Sequence, residues 1–207
     1  METLSANTRL DPRPQFGAAL ATAGEVVAAV RPDHLGWATP CSEYDVGALL
    51  GHLLDVLDRL TAVGRGHDPF ALPPRADVAD RGWLAAWHDA AGTLRATWAD
   101  DATLDRPSPL PWAPGVGSDV LAKYVNELTV HTWDLAQGIG VAPAWDADVL
   151  AFVARGIGVG LPATGRAAIF APMKGGAALP DPFEDAVPVP DDAPLIARIV
   201  AWSGRQP

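Results

Sequence analysis

Apolar residues recur every three or four positions along much of the chain, which is the spacing of amphipathic α-helices. The clearest repeat runs from Val46 to Leu60, where valine and leucine return at helical spacing. Weaker repeats of the same period lie on both sides of it. The pattern predicts helices at about residues 15–30, 46–61, 80–98, 119–137 and 147–158, with a last short one at 193–202.

Capping residues and chain breakers indicate where several of these helices begin and end. Asp45 or Ser42 can accept a backbone N–H at the start of the second helix, and Ser118 or Asp119 can do so for the fourth. Gly64 and Gly66 follow the second helix, and glycine commonly ends a helix. These local signals agree with the helical periodicity.

Segments that contain proline and glycine separate the predicted helices. The segments 66–79 and 101–117 have the composition of loops, and 161–190 is typical of irregular chain. Because the connections between the first four helices are short, they favour an antiparallel bundle. We expect an all-α protein in which residues 1–160 form a four-helix bundle with an additional helix. Residues 161–207 would form a short C-terminal extension packed on it.

Composition narrows the classes of protein to consider. The chain has 207 residues, of which 49% are hydrophobic, and a formal net charge of −10. This negative charge opposes binding to nucleic acids and to anionic membranes. No apolar run reaches the ~18 residues that span a bilayer. The first residues lack the basic and apolar parts of a signal peptide, so we expect a cytoplasmic protein.

Cys41 is the single cysteine of the chain. An internal disulfide is therefore impossible, which agrees with a reducing compartment. A lone cysteine is more often a small packing residue than a catalytic thiol, and we expect packing here.

Three side chains that can bind a metal fall on one face of the predicted fourth helix. At about 100° per residue, Glu127, His131 and Asp134 lie within a stripe about 60° wide. His52 lies at the edge of the leucine stripe of the second helix and could reach the same crevice. Two imidazoles and one carboxylate suit Zn²⁺, Ni²⁺ or Fe²⁺, and three ligands leave a position open for water or substrate.

The same residues allow other interpretations. A glutamate and a histidine four positions apart often form only a solvated or hydrogen-bonded pair, and a histidine such as His52 is often packed at the edge of a core. Asp134 could be a further ligand, an acceptor for an imidazole N–H or a surface acid, and we favour a supporting or structural role over direct ligation. The other histidines are expected at the surface: His34, His67 and His88.

Three motifs together span nearly the whole chain. They read T-P-C-S-E-Y-D-V-G-A-L-L-G-H-L at 39–53, E-L-T-V-H-T-W-D-L at 127–135 and P-V-P-D-D-A-P-L-I-A-R-I-V-A-W-S-G-R-Q-P at 188–207. The combination resembles the DinB/YfiT-like metal-binding bundles, and more closely the actinobacterial relatives of the N-terminal domain of mycothiol-dependent maleylpyruvate isomerase. The resemblance implies an up-down-down-up four-helix bundle, often dimeric, that binds a divalent metal through His52, Glu127 and His131. Trp37 and Tyr44 could frame the mouth of the pocket, although we favour simple packing for both.

The C-terminal part of the chain differs from that of the isomerase, which limits what the resemblance implies about function. The isomerase carries a larger α/β C-terminal domain that supplies an arginine, whereas the segment after residue 160 is short here, and neither Arg166 nor Lys174 matches that arginine. Maleylpyruvate isomerisation itself is therefore not expected. The resemblance implies a metal-dependent thiol transferase or isomerase, with zinc preferred over nickel or iron, in which a thiol of the mycothiol type attacks a small electrophile. The alternatives are a non-catalytic bundle that binds metal or a thiol conjugate, and a metal-dependent hydrolase, so an enzymatic role stays open at this level.

Overall fold

Helices are the regular elements of the part of the chain that the structure describes. The computed structural model describes residues 11–72, 82–111, 113–159, 161–171 and 183–207. Within these ranges it contains eight α-helices and no strands apart from isolated β-bridges, which confirms the all-α prediction. The helices are α1 (Arg13–Ala29), α2 (Val46–Arg65), α3 (Trp83–Thr97), α4 (Asp101–Leu104), α5 (Gly117–Ile139), α6 (Ala147–Gly156), α7 (Arg166–Phe170) and α8 (Leu195–Trp202).

The two helices that carry the candidate site residues begin and end for local reasons. Asp45 caps α2, because its side chain accepts the backbone N–H of Ala48 at 2.8 Å. Gly66 ends α2 in the left-handed conformation, with φ of 72°, whereas Gly64, also expected to end the helix, lies within it. Helix α5 begins earlier than predicted, and neither Ser118 nor Asp119 is its N-cap residue. Asp119 instead lies in the first turn and accepts the backbone N–H of Val116 at 2.9 Å.

Contacts near the helix ends establish the directions of the four long helices. Trp98, just after α3, donates its Nε1–H to the carbonyl oxygen of Leu60 at 3.1 Å, so α2 and α3 run in the same direction. Gly138 near the end of α5 packs against Val46 at the start of α2, so this pair is antiparallel. The side chain of Arg13, at the start of α1, donates to a carbonyl group just after α3, so α1 and α3 are antiparallel.

The four helices therefore run up-down-down-up, in the order that the resemblance implied. Helix α1 packs on α5 and α3, and α2 packs on the other sides of the same two helices. The antiparallel arrangement expected from short connections is wrong for the pair α2 and α3. Helix α2 is 20 residues and ~30 Å long. Residues 66–82 between the two helices are long enough to return the chain to the same end of the bundle.

Helices α2 and α5 supply the centre of the core. Leu49, Leu53 and Leu57 on α2 and Leu128 and Leu135 on α5 have no exposed surface. Each buried leucine stabilises the fold by about 1.5–3 kcal/mol relative to an exposed one. His52 and Glu127 lie beside these leucines on the same two helices and are partly exposed. Among the described helices, none combines the length and the apolar character needed to cross a membrane.

The C-terminal part of the chain contacts the bundle through α8. Helix α8 lies against α6 and α5. The Trp202 indole N–H donates to the carbonyl oxygen of Leu161 at 3.1 Å. Two short helices, α4 and α7, form where the composition predicted loops. The division into residues 1–160 and 161–207 stays a prediction. Lys174 and the predicted start of the third helix at residue 80 lie outside the described residues.

Candidate metal centre

Helices α2 and α5 bring three of the predicted site residues together. His52 Nε2 lies 3.1 Å from Glu127 Oε1, and His131 Nε2 lies 3.5 Å from the same oxygen. The imidazole rings of His52 and His131 are 4.8 Å apart, centroid to centroid, at an angle of 72°. One ligand atom from each of the three residues lies within 4.8 Å of the others. Their role as metal ligands stays a prediction, but their convergence is a feature of the fold.

The spacing and chemistry of these atoms fit a divalent metal ion. Zinc bound to nitrogen and oxygen at ~2.0–2.2 Å in a tetrahedron separates its ligand atoms by about 3.4 Å. The two distances to Glu127 Oε1, 3.1 and 3.5 Å, bracket that value. Two imidazole nitrogens and a carboxylate oxygen are also the ligand types that zinc and similar ions accept.

The site is open on one side. The side chains of His52 and Glu127 are 21% and 23% exposed, while that of His131 is 9% exposed. Tyr44 forms one wall, because its ring stacks on the His52 ring at 4.9 Å and meets the His131 ring edge-on at 6.3 Å. We expected Tyr44 only to pack, but its packing partners are the candidate ligands themselves. Trp37 is 44% exposed and contacts the ring of His34 instead.

The charges of Glu127 and His131 stabilise each other. Burial alone would lower the pKa of His131, but the negative charge of Glu127 and hydrogen bonds to Asp134 and Glu127 outweigh it and raise that pKa to about 9. Burial likewise opposes ionisation of Glu127, but the charge of His131 and hydrogen bonds to His131 and His52 hold the pKa of Glu127 well below its usual range. Without metal the site therefore contains a carboxylate paired with an imidazolium, whose proton a metal ion would replace.

Asp134 supports His131 from the side opposite Glu127. Its carboxylate is fully buried, and Oδ2 lies 3.0 Å from His131 Nδ1. An ionised carboxylate can only accept, so the imidazole donates from Nδ1 and its Nε2 is directed towards Glu127. Of the three roles considered for Asp134, this geometry matches the acceptor for an imidazole N–H and rules out the surface acid.

Two further residues near Asp134 complete the surroundings of the site. Arg205 forms an ion pair with Asp134, with its Nη2 at 3.1 Å from Oδ2. No pattern in the sequence singled out Arg205. It lies inside the motif at 188–207, but nothing in that motif indicates that Asp134 is its partner. Cys41 is buried as expected for a packing residue, and burial raises the pKa of its thiol. Its sulfur lies within 4.8 Å of a ligand atom of His131 and of Asp134.

The remaining histidines and Arg166 take different positions. His67 and His88 are exposed as predicted. The prediction for His34 is wrong: it is 1% exposed, and its Nδ1 accepts the backbone N–H of Arg31 at 3.3 Å. Arg166 is buried in the C-terminal segment, where its side chain donates to the carbonyl oxygens of Pro162 and Glu184.

Comparison with known proteins identifies relatives of the chain and its family. Two relatives from Mycobacterium tuberculosis are each 28% identical over 181 residues, covering 87% of this chain and 90% of theirs: uncharacterized protein Rv0738 from strain H37Rv and uncharacterized protein MT0763 from strain CDC 1551. No solved structure matches the chain significantly. The family described as mycothiol maleylpyruvate isomerase N-terminal domain matches residues 16–136, which include all three converging side chains and Asp134. Because this match covers more than half of the chain, the protein belongs to the mycothiol maleylpyruvate isomerase N-terminal domain family.

Proposed function

We propose that this protein is a metal-dependent thiol transferase or isomerase that uses a low-molecular-weight thiol of the mycothiol type against a small electrophile. The observation that carries the proposal is the convergence of one ligand atom each from His52, Glu127 and His131 within 4.8 Å, on facing helices. Membership of a mycothiol-related family supports the choice of a thiol.

His52, Glu127 and His131 would hold the ion. Their two nitrogens and one oxygen suit zinc, nickel or iron, and the resemblance to DinB/YfiT-like bundles makes zinc the preferred ion. A divalent ion bound there would favour the thiolate form of a thiol at the position that the three side chains leave open. The partial exposure of His52 and Glu127 gives a small molecule access to that position. Asp134 would keep Nε2 of His131 directed towards the ion.

Tyr44 would shape the space in which the two reactants meet. Its ring stacks on the His52 ring at 4.9 Å, so it would border the position at which the reactants bind. The thiolate sulfur would form a bond to an electrophilic carbon. In a transfer, the displaced electron pair leaves with the leaving group. In an isomerisation, it moves onto a conjugated carbonyl and returns when the thiol is expelled, so the thiol is regenerated.

Metal content and thiol-dependent turnover test this proposal together. We expect an unsupplemented preparation to contain about one divalent ion per chain, and His131→Ala to lose it. His88→Ala is the matched control, because His88 is exposed. A panel of small electrophiles with mycothiol should give product with the wild type and none after chelation. Bound metal without any product would favour a non-catalytic binding protein, and product without a thiol would favour a hydrolase. Unchanged metal content in His131→Ala would refute the site.

A further inference from the structure

Arg205 reaches the site because the chain turns at Gly204, directly after α8. Helix α8 ends in a motif in which Gly204 N–H donates to Ala201 at 3.0 Å and Arg205 N–H donates to Val200 at 2.9 Å. Gly204 has a φ of 84°, which glycine adopts without strain. A Cβ at this position would also lie 2.9 Å from Glu184. The turn directs the chain after α8 back towards the bundle.

The guanidinium of Arg205 forms an ion pair with Asp134. Nη2 lies 3.1 Å from Oδ2, and Nε lies 3.3 Å from Oδ1 and 3.4 Å from Oδ2. Nη1 donates to the carbonyl oxygen of Ser203 at 3.0 Å, which orients the planar group. Arg205 is only 8% exposed and Asp134 is fully buried. A buried charge pair with several hydrogen bonds has a defined geometry, unlike a mobile pair at the surface.

A buried carboxylate needs such a partner if it is to hold a neighbouring ring in place. Asp134 Oδ2 accepts from His131 Nδ1 on one side and from Arg205 on the other. In metal sites, the group that accepts the second imidazole N–H fixes the orientation of the ligand. Arg205 is 71 residues away from Asp134 along the chain and lies outside the family match, which ends at residue 136.

We propose that Arg205 is a positioning residue of the metal centre, which holds the Asp134 carboxylate against His131 and thereby directs His131 Nε2 towards His52 and Glu127. The inference rests on the proposed metal-binding function. It also gives the C-terminal extension a structural role, because the centre is complete only when the segment that follows α8 is docked.

Zinc affinity, measured by competition with a chromophoric chelator, tests the proposal. We expect Arg205→Ala to bind zinc about 10–100-fold more weakly than the wild type, as is typical when a residue supporting a ligand is lost. Arg205→Lys should fall between the two, because one ammonium group cannot contact the carboxylate as a planar fork does. Arg198→Ala, an exposed arginine of α8, is the matched control and should bind like the wild type. If Arg205→Ala does not fold, Arg205→Gln takes its place.

A double-mutant comparison tests whether Arg205 acts through Asp134. In an Asp134→Asn background, Arg205→Ala should change zinc affinity less than about 3-fold, since the group through which it acts is already altered. Equal losses in both backgrounds would overturn the proposal, and so would wild-type affinity in Arg205→Ala.

The imidazole of His131 provides a readout that needs no metal. In nuclear magnetic resonance spectra of the metal-free wild type, we expect the Nδ1 proton of His131 to exchange slowly with water, and to disappear in folded Arg205→Ala. A wild type that binds no zinc would refute the proposed function. Even then, the Nδ1 proton signal would test whether Arg205 holds the His131 ring. A signal that persists in Arg205→Ala would overturn the proposal.

Discussion

The metal-free protein should lose stability as the pH rises above neutral, because His131 then loses the proton that stabilises the folded state. The pKa of His131 is raised from 6.5 to about 9, chiefly by Glu127 against the opposing effect of burial. A group whose pKa is raised on folding stabilises the folded state while it is protonated. Its contribution is complete below pH 6.5, declines above that value, and is lost as the pH passes about 9. The difference corresponds to about 3–4 kcal/mol, since each pKa unit is worth about 1.4 kcal/mol.

The assay is urea unfolding of chelator-treated protein at half-unit intervals from pH 6 to pH 10. The free energy of unfolding of the wild type should fall across this range relative to His131→Gln, a variant that cannot titrate there. Saturation with zinc should abolish the difference in slope, because a bound ion takes the place of the proton. A wild type and a variant with parallel profiles in the metal-free state would refute the assignment of an imidazolium to this site.

Three further predictions concern metal binding and packing. Zinc affinity should rise with pH up to about 9, because binding must displace the proton of His131. Calorimetry in buffers of different ionisation enthalpy would detect the released proton. A zinc affinity that does not change with pH would contradict this prediction. Tyr44→Ala should leave zinc affinity within about 10-fold but increase the exposure of the His52 ring, which histidine modification by diethylpyrocarbonate would detect as faster labelling. Gly64→Ala should destabilise the fold by about 1–3 kcal/mol, because its Cβ would lie 2.8 Å from Thr97 Cγ2. A Cβ at position 92 would meet no group within 4 Å apart from its chain neighbours and the backbone of its own helix, so Gly92→Ala should instead stabilise the fold by about 0.5–1 kcal/mol in thermal unfolding. Equal effects of the two substitutions would contradict the packing argument.

Much of the fold could be predicted because its signals are local. Helical periodicity placed the long helices to within a few residues. Asp45 begins α2 through its side-chain cap, and Gly66 ends it because glycine readily adopts the left-handed backbone conformation. Glu127 and His131 share a face because they are four positions apart on one helix, and this does not depend on the rest of the chain. The prediction failed for His34, which looked like a surface residue because it lies beside a loop. It ends the short helical turn Pro32–His34, its ring contacts that of Trp37, and it is 1% exposed.

The amino-acid sequence alone determined the long helices, the caps of α2 and the shared face of Glu127 and His131, because each depends on interactions within a few residues. Only the tertiary structure decided which faces meet. It made α2 and α3 parallel, brought His52 within 3.1 Å of Glu127 and placed Arg205 on Asp134 across 71 residues of chain. The physical reason is that these contacts result from burying several helices against one another at once, and no local pattern encodes the partner across a bundle.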